Sequence, residues 1–141
     1  MLAQSDVDLR EVLAFRRIAV VGASRYPGKA AHDVPRYMAS QGYEIIPVNP
    51  NAETVLERHA FNSLGSVDES VEVVNVFRPS DEVAGIVDKA IDRGDVQAIW
   101  LQLGITDKEA IDRAIAAGLT VVEDRCIMVE HRRLMDASAR E

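Results

Sequence analysis

The chain has 141 residues, of which 48% are hydrophobic and 28% charged, and its net charge at neutral pH is −7. This length fits one domain, residues 1–141, with a core that needs no disulfide or metal for stability. The negative charge argues against a nucleic-acid backbone as the main partner, so an anionic ligand would have to meet individually placed cations.

Cysteine and histidine usage narrows the possibilities further. Cys126 is the sole cysteine, which rules out an internal disulfide and fits a reducing cytoplasm, and the three histidines are too scattered to predict a metal site. No apolar run approaches the roughly 20 residues of a membrane span, and the first residues lack the layout of a signal peptide. We therefore expect a soluble cytoplasmic protein with no membrane partner.

Strand and helix patterns alternate along the chain. Ser5, with Asp8 three residues later, predicts the start of a first helix. Five apolar stretches rich in Val and Ile then predict strands: residues 17–22, 44–49, 71–77, 96–103 and 119–123. Each is apolar at consecutive positions, as strands covered on both faces of a parallel sheet are.

Helical periodicity separates the later strands. Apolar residues recur at helical spacing within 83–91 and 110–115, with starts predicted at Ser80 and Thr106, and a short helix is predicted near 54–58. The whole pattern predicts an α/β fold: a Rossmann-like, doubly wound, five-stranded parallel sheet with the order 3-2-1-4-5.

The turn after the first strand carries the strongest functional signal. Three small residues are followed by two cations: Gly22, Ala23, Ser24, Arg25 and Lys29. The small residues let an anion approach the backbone N–H groups at the start of the next helix, and the cations can neutralise its charge. The turn therefore predicts a phosphate site, although Gly22 could serve the turn geometry alone.

Neither common nucleotide motif fits this turn. A dinucleotide motif requires glycine where Ser24 and Pro27 stand, and Asn49 occupies the place of the acid that binds the ribose. A Walker loop has four residues between its glycines, whereas five separate Gly22 from Gly28. Because ligands of open α/β sheets bind beyond the carboxyl ends of the strands, the first four strand-end turns form one candidate crevice.

Five sequence blocks occur in order along the chain: Val20-Val21-Gly22-Ala23-Ser24, Ile46-Pro47-Val48-Asn49-Pro50, Val74-Asn75-Val76-Phe77-Arg78, Trp100-Leu101-Gln102-Leu103-Gly104-Ile105 and Asp124-Arg125-Cys126-Ile127. Together they resemble the small bacterial coenzyme A-binding protein family. That family is similar to the coenzyme A-binding domain of the succinyl-CoA synthetase α subunit. The resemblance implies a Rossmann-like domain that holds coenzyme A or an acyl-CoA.

The resemblance also implies a place for each part of the ligand. The phosphates would lie at Gly22, Ala23, Ser24, Arg25 and Lys29, the adenosine beside Asn49 and Pro50, and the rest of the ligand along Phe77, Arg78, Pro79, Gln102 and Gly104. The synthetase carries its catalytic histidine in a second domain for which this chain has no room, so we expect binding without catalysis. Three alternatives stay open: an acyl-CoA-dependent enzyme, a subunit supplying coenzyme A to a catalytic partner, and an NAD(P)-binding redox domain.

Other reactive residues have structural explanations. Trp100 lies in an apolar strand and is predicted to be core, and His131 is predicted at the surface or at a helix end. Cys126 follows Arg125, which could lower the thiol pKa and permit a mixed disulfide with coenzyme A, but free cysteine is more often a small buried residue.

Overall fold

Helices cover both faces of a central sheet in the computed structural model, which describes residues 1–135. The strands are β1 (Arg17–Val21), β2 (Glu44–Val48), β3 (Thr54–Val55), β4 (Arg58–His59), β5 (Val73–Val76), β6 (Ala98–Leu101) and β7 (Thr120–Val122). The helices are α1 (Asp6–Leu13), α2 (Ala30–Ser40), α3 (Val83–Arg93), α4 (Lys108–Ala116) and α5 (Ile127–Leu134).

The main sheet has the order β2-β1-β5-β6-β7, and all its strands are parallel. The predicted fold class is confirmed, and each of these strands lies inside its predicted range. Val48 at the end of β2 also forms an isolated parallel bridge to Phe61. With Phe61 counted as a third strand, the order reads 3-2-1-4-5-6, whose first five places are the predicted 3-2-1-4-5.

One assignment within that order needs correction. The stretch 71–77 is the third strand of the prediction, and the predicted order places it outside the second strand. It instead forms β5, which pairs with β1 on the side away from β2. The segment around Phe61 takes the place outside β2, so the next full strand crosses to the other side of β1.

The connection between β2 and β5 contains a hairpin, so the short helix predicted near 54–58 is wrong. β3 and β4 pair antiparallel around Leu56 and Glu57, whose φ angles are 52° and 64°. Two consecutive left-handed residues form the kind of tight turn whose twist matches a hairpin. Val55 in β3 is buried, and its β-branched side chain favours strand over helix.

The two faces of the sheet bury separate hydrophobic clusters. One cluster joins α1, α2 and α5 to the sheet around Trp100, and the other joins α3 and α4 around Ile99 and Leu101. Trp100 is fully buried, as predicted, and its indole Nε1 donates to the carbonyl of Arg125 over 2.8 Å. The sheet is therefore rigidly held on both sides, which fixes the turns at its carboxyl edge.

Two of the predicted helix starts are shifted. Glu82 rather than Ser80 is the N-cap residue of α3, and its side chain forms no capping bond. Ser5 caps α1 as predicted, since its Oγ accepts from the Asp8 N–H over 3.2 Å. Asp107 rather than Thr106 caps α4, accepting from the Ala110 N–H over 3.1 Å. None of the helices within residues 1–135 has the length and apolar character needed to cross a bilayer.

His131 lies in the last turn of α5, which agrees with the predicted helix end, but it is buried rather than at the surface. It is 5% exposed and forms a 2.8 Å hydrogen bond with the hydroxyl of Tyr37, because α5 packs against α2. Its ring also contacts the edge of Tyr43. The charged residues that flank His131 in the sequence favour a surface position, so the sequence does not indicate this burial.

Candidate functional site

A cavity of about 800 Å³ opens at the carboxyl ends of β1, β2 and β5. Seven of the predicted site residues line it: Gly22, Ala23, Ser24, Arg25, Asn49, Pro50 and Arg78. The other five predicted residues lie outside this lining: Lys29, Phe77, Pro79, Gln102 and Gly104. The first three turns therefore meet around one space, and the fourth does not.

The first turn is held in shape by its own hydrogen bonds. The N–H of Gly22 donates to Val48 O over 3.0 Å and that of Ser24 to Ala31 O over 3.0 Å. The N–H groups of Ala23 and Arg25 make no hydrogen bond to the described part of the chain. Arg25 is exposed, so its N–H remains available for an anion, whereas Ala23 is fully buried.

The first residues of α2 form hydrogen bonds with the first turn. His32 is 8% exposed, and its Nδ1 lies 2.8 Å from the carbonyl oxygen of Ser24. Asp33 accepts from the Gly28 N–H over 3.1 Å. Lys29 is the N-cap residue of α2, and its side chain makes no capping bond. Of the two predicted cations in this segment, only Arg25 lines the cavity.

Arg25 is held against its neighbour. Its guanidinium lies 5.0 Å from the centre of the Tyr26 ring and donates to the Tyr26 hydroxyl over 2.7 Å. Both contacts keep the cation beside the cavity while leaving its charge uncompensated. Arg25 is thus placed to meet an anionic ligand.

Gly22 is required where the first and third turns touch. Its φ is +90°, and a Cβ there would lie 2.8 Å from Arg78 Cδ and 3.2 Å from the carbonyl oxygen of Phe77. Any side chain would therefore pay backbone strain and collide with the third turn.

Arg78 enters the cavity as half of an ion pair. Its Nε and a terminal nitrogen donate to the two carboxylate oxygens of Glu82 over 3.1 and 2.7 Å. These hydrogen bonds lower the pKa of the Glu82 carboxyl and raise that of the Arg78 guanidinium. Both groups stay ionised at neutral pH, so the positive charge of Arg78 is largely balanced.

The second turn is tied to the first through Asn49. Its Nδ2 donates to Ala23 O over 2.9 Å, and its Oδ1 accepts from the Asn51 N–H over 2.7 Å. Asn49 thereby fixes the distance between two cavity walls, and Pro50 adds an apolar surface beside it.

The fourth turn is a structural junction. Gln102 is 6% exposed, and its Oε1 accepts from the Ile127 N–H over 2.9 Å and from Asn75 Nδ2 over 3.1 Å. The Gly104 N–H donates to Asp124 Oδ1 over 2.6 Å. A second cavity of about 570 Å³ lies near this turn and is lined in part by Leu103 and by the half-buried Cys126.

One wall of the main cavity was not predicted from the sequence. It consists of residues 62–64 and one side of α3: Asn62, Ser63, Leu64, Gly85, Ile86 and Lys89. The only signal was the polar residue Lys89 within an otherwise amphipathic helix, which is also the pattern of an ordinary solvent-facing position.

The parallel sheet, with helices on both faces and a cavity at its strand ends, defines an α/β domain of the Rossmann type. The chain belongs to the CoA-binding domain family, whose model, described as "CoA binding domain", matches residues 16–132. The predicted resemblance to the small coenzyme A-binding proteins is thus confirmed.

Three relatives show the range of this similarity. YneT of Bacillus subtilis is 38% identical over 128 residues, which cover 90% of this chain and 94% of YneT. A solved structure of a Pyrococcus horikoshii protein is 36% identical, covers 95% of this chain and 94% of its own, and has a TM-score of 0.90. The ADP-forming acetate–CoA ligase II of Archaeoglobus fulgidus is 27% identical over 72% of this chain, which corresponds to 15% of the ligase.

Proposed function

We propose that this protein binds coenzyme A or an acyl-CoA in the main cavity and that the isolated chain does not catalyse a reaction. The observation that carries the proposal is the 800 Å³ cavity lined by the first turn, in a chain of the CoA-binding domain family. Cavities of this size are typical of small-molecule and cofactor sites.

The polar groups of the cavity suggest how the ligand is held. The N–H group and the guanidinium of Arg25 bind the pyrophosphate. The adenosine lies between Pro50 and Ile86, which supply apolar surface on two walls. The pantetheine arm leaves past Phe77 and Pro79 toward the fourth turn at Gln102 and Gly104.

Ligand preference is the first test. Coenzyme A at a hundredfold excess over its dissociation constant should stabilise the native state by about 2.7 kcal/mol and raise the melting temperature. NAD and ATP should shift it much less, because the first turn departs from both of their binding motifs. Differential scanning fluorimetry with the three ligands, followed by calorimetric titration, measures this. A shift with NAD equal to that with coenzyme A would contradict the proposal.

Charge removal is the second test. Arg25→Ala should weaken coenzyme A binding by about 1 to 3 kcal/mol, the range for a charge-assisted hydrogen bond, and reduce its salt dependence. Lys29→Ala should have a smaller effect, because Lys29 lies outside the cavity lining.

Arg113→Ala is the matched control for this pair. Arg113 joins α4 to α3 by donating to Asp88 over 2.9 Å, and it lies away from the cavity. Its removal should leave the affinity unchanged. A loss with Arg113→Ala and none with Arg25→Ala would place the anion site elsewhere on the molecule.

The similarity to the ligase supports a second candidate function. Because this chain matches only a small part of that ligase, its cavity could supply coenzyme A to a separate catalytic subunit. Co-purification of the tagged protein with an acyl-CoA enzyme, lost in a variant that cannot bind coenzyme A, would favour this role. Reproducible turnover of acetyl-CoA by the purified chain alone would instead indicate an acyl-CoA-dependent enzyme.

A further inference from the structure

Lys89 supplies the main cavity with a cation from a different wall than Arg25. It stands six residues after Val83, the first residue of α3, which places it about 9 Å along the helix from that end. Because α3 runs from the carboxyl edge of the sheet toward its amino edge, Lys89 lies closer to the amino edge than the strand ends do. The cavity thus has a second positive group, set apart from the first turn.

The side chain of Lys89 extends across to the turn before β5. A Cβ added to Gly65 would lie 3.7 Å from Lys89 Cδ and 3.8 Å from its Nζ. The hydroxyl oxygen of Ser63 lies 3.9 Å from the same point. The ammonium and this hydroxyl thus both lie around Gly65, at a wall of the cavity that Asn62 also lines.

The charge of Lys89 is not balanced within residues 1–135, where it forms no ion pair. Its sequence neighbour Asp88 is paired instead with Arg113 at 2.9 Å. Glu82, another acid of this helix region, is taken by Arg78. Lys89 therefore stands at the cavity wall, which Asp81 also lines, without an ion-pair partner among the described residues.

Coenzyme A carries two anionic groups on one ribose, a pyrophosphate at the 5′ position and a phosphomonoester at the 3′ position. A phosphomonoester bears a charge of about −1.5 to −2 at neutral pH, so its burial requires a cation of its own. We propose that Lys89, with the Ser63 hydroxyl, binds this 3′-phosphate and so selects coenzyme A over ligands that lack it. This inference rests on the proposed function.

Paired ligands test the assignment. Calorimetric titration of wild type, Lys89→Met and Lys89→Arg would use coenzyme A, dephospho-coenzyme A and the 3′,5′- and 2′,5′-bisphosphates of adenosine. Lys89→Met should weaken binding of coenzyme A and of the 3′,5′-bisphosphate about tenfold, leave dephospho-coenzyme A unchanged, and be partly rescued by Lys89→Arg.

Lys108→Met is the matched control, because Lys108 is an exposed helical lysine paired with Asp112 and lies outside the cavity. It should change none of the affinities. Circular dichroism of each variant confirms that the fold is retained.

The possible outcomes separate the two proposals. If the wild type binds neither coenzyme A nor dephospho-coenzyme A, the proposed function fails. If the wild type binds coenzyme A but Lys89→Met weakens both ligands equally, or neither, the role of Lys89 is overturned while the proposed function stands. If Lys89→Met weakened binding of the 2′,5′-bisphosphate alone, the role of Lys89 would also be overturned, because that result would indicate a site for a 2′-phosphate.

Discussion

Gly22→Val is expected to abolish measurable coenzyme A binding and to lower the free energy of unfolding by about 2 to 5 kcal/mol. Two physical costs add at this position. A β-branched residue would have to adopt a φ of +90°, and its Cβ would lie 2.8 Å from Arg78 Cδ. Relief of the contact would move Arg78 and the carbonyl of Phe77, which shape the adjoining third turn.

Gly118→Val separates the binding effect from the backbone strain. Gly118 has a similar φ of +92°, nothing lies within 4 Å of its absent Cβ, and it is outside the main cavity. This control should lose stability through strain alone and keep its affinity. Chemical denaturation and titration of both folded variants make the comparison. A folded Gly22→Val protein with wild-type affinity would remove the first turn from the site.

Gln102→Met is expected to lower the free energy of unfolding by about 2 to 4 kcal/mol, because two buried donors lose their shared acceptor. The Ile127 N–H at the start of α5 and the Asn75 amide inside β5 both donate to Gln102 Oε1. Methionine has a similar volume, so the effect reports the lost hydrogen bonds rather than a cavity.

Gln97→Met provides the comparison for Gln102. Gln97 is exposed just before β6, and its replacement should change stability by less than about 0.5 kcal/mol. Coenzyme A titration of the folded Gln102→Met protein also tests the role expected for Gln102 from the family resemblance. An unchanged affinity would assign Gln102 to the fold alone, and a stability equal to wild type would contradict the buried hydrogen bonds.

The strands and the first turn could be predicted from sequence because their signals are local. A strand buried on both faces must be apolar at consecutive positions, and all five main strands lie inside their predicted ranges. The first turn combines small residues and cations within eight positions, Gly22 to Lys29, so a phosphate site can be predicted there without knowledge of the fold.

The region between β2 and β5 could not be predicted in the same way. The hairpin depends on Leu56 and Glu57 adopting left-handed conformations, which neither residue prefers by itself. Residues 62–64 become a cavity wall only because Phe61 docks beside β2 and brings them next to α3. Such placement is a long-range effect with no periodic sequence signal.

By itself, the sequence determined the α/β class, the strand positions and the place of the small-residue turn after β1. The tertiary structure decided which polar groups of the predicted site remain available to a ligand. Arg25 forms no ion pair within residues 1–135, whereas Arg78 is paired with Glu82, and Gln102 is bonded to groups about 25 positions away in both directions. A side chain's capacity to bind depends on its partners in space, and folding brings those partners from distant parts of the chain.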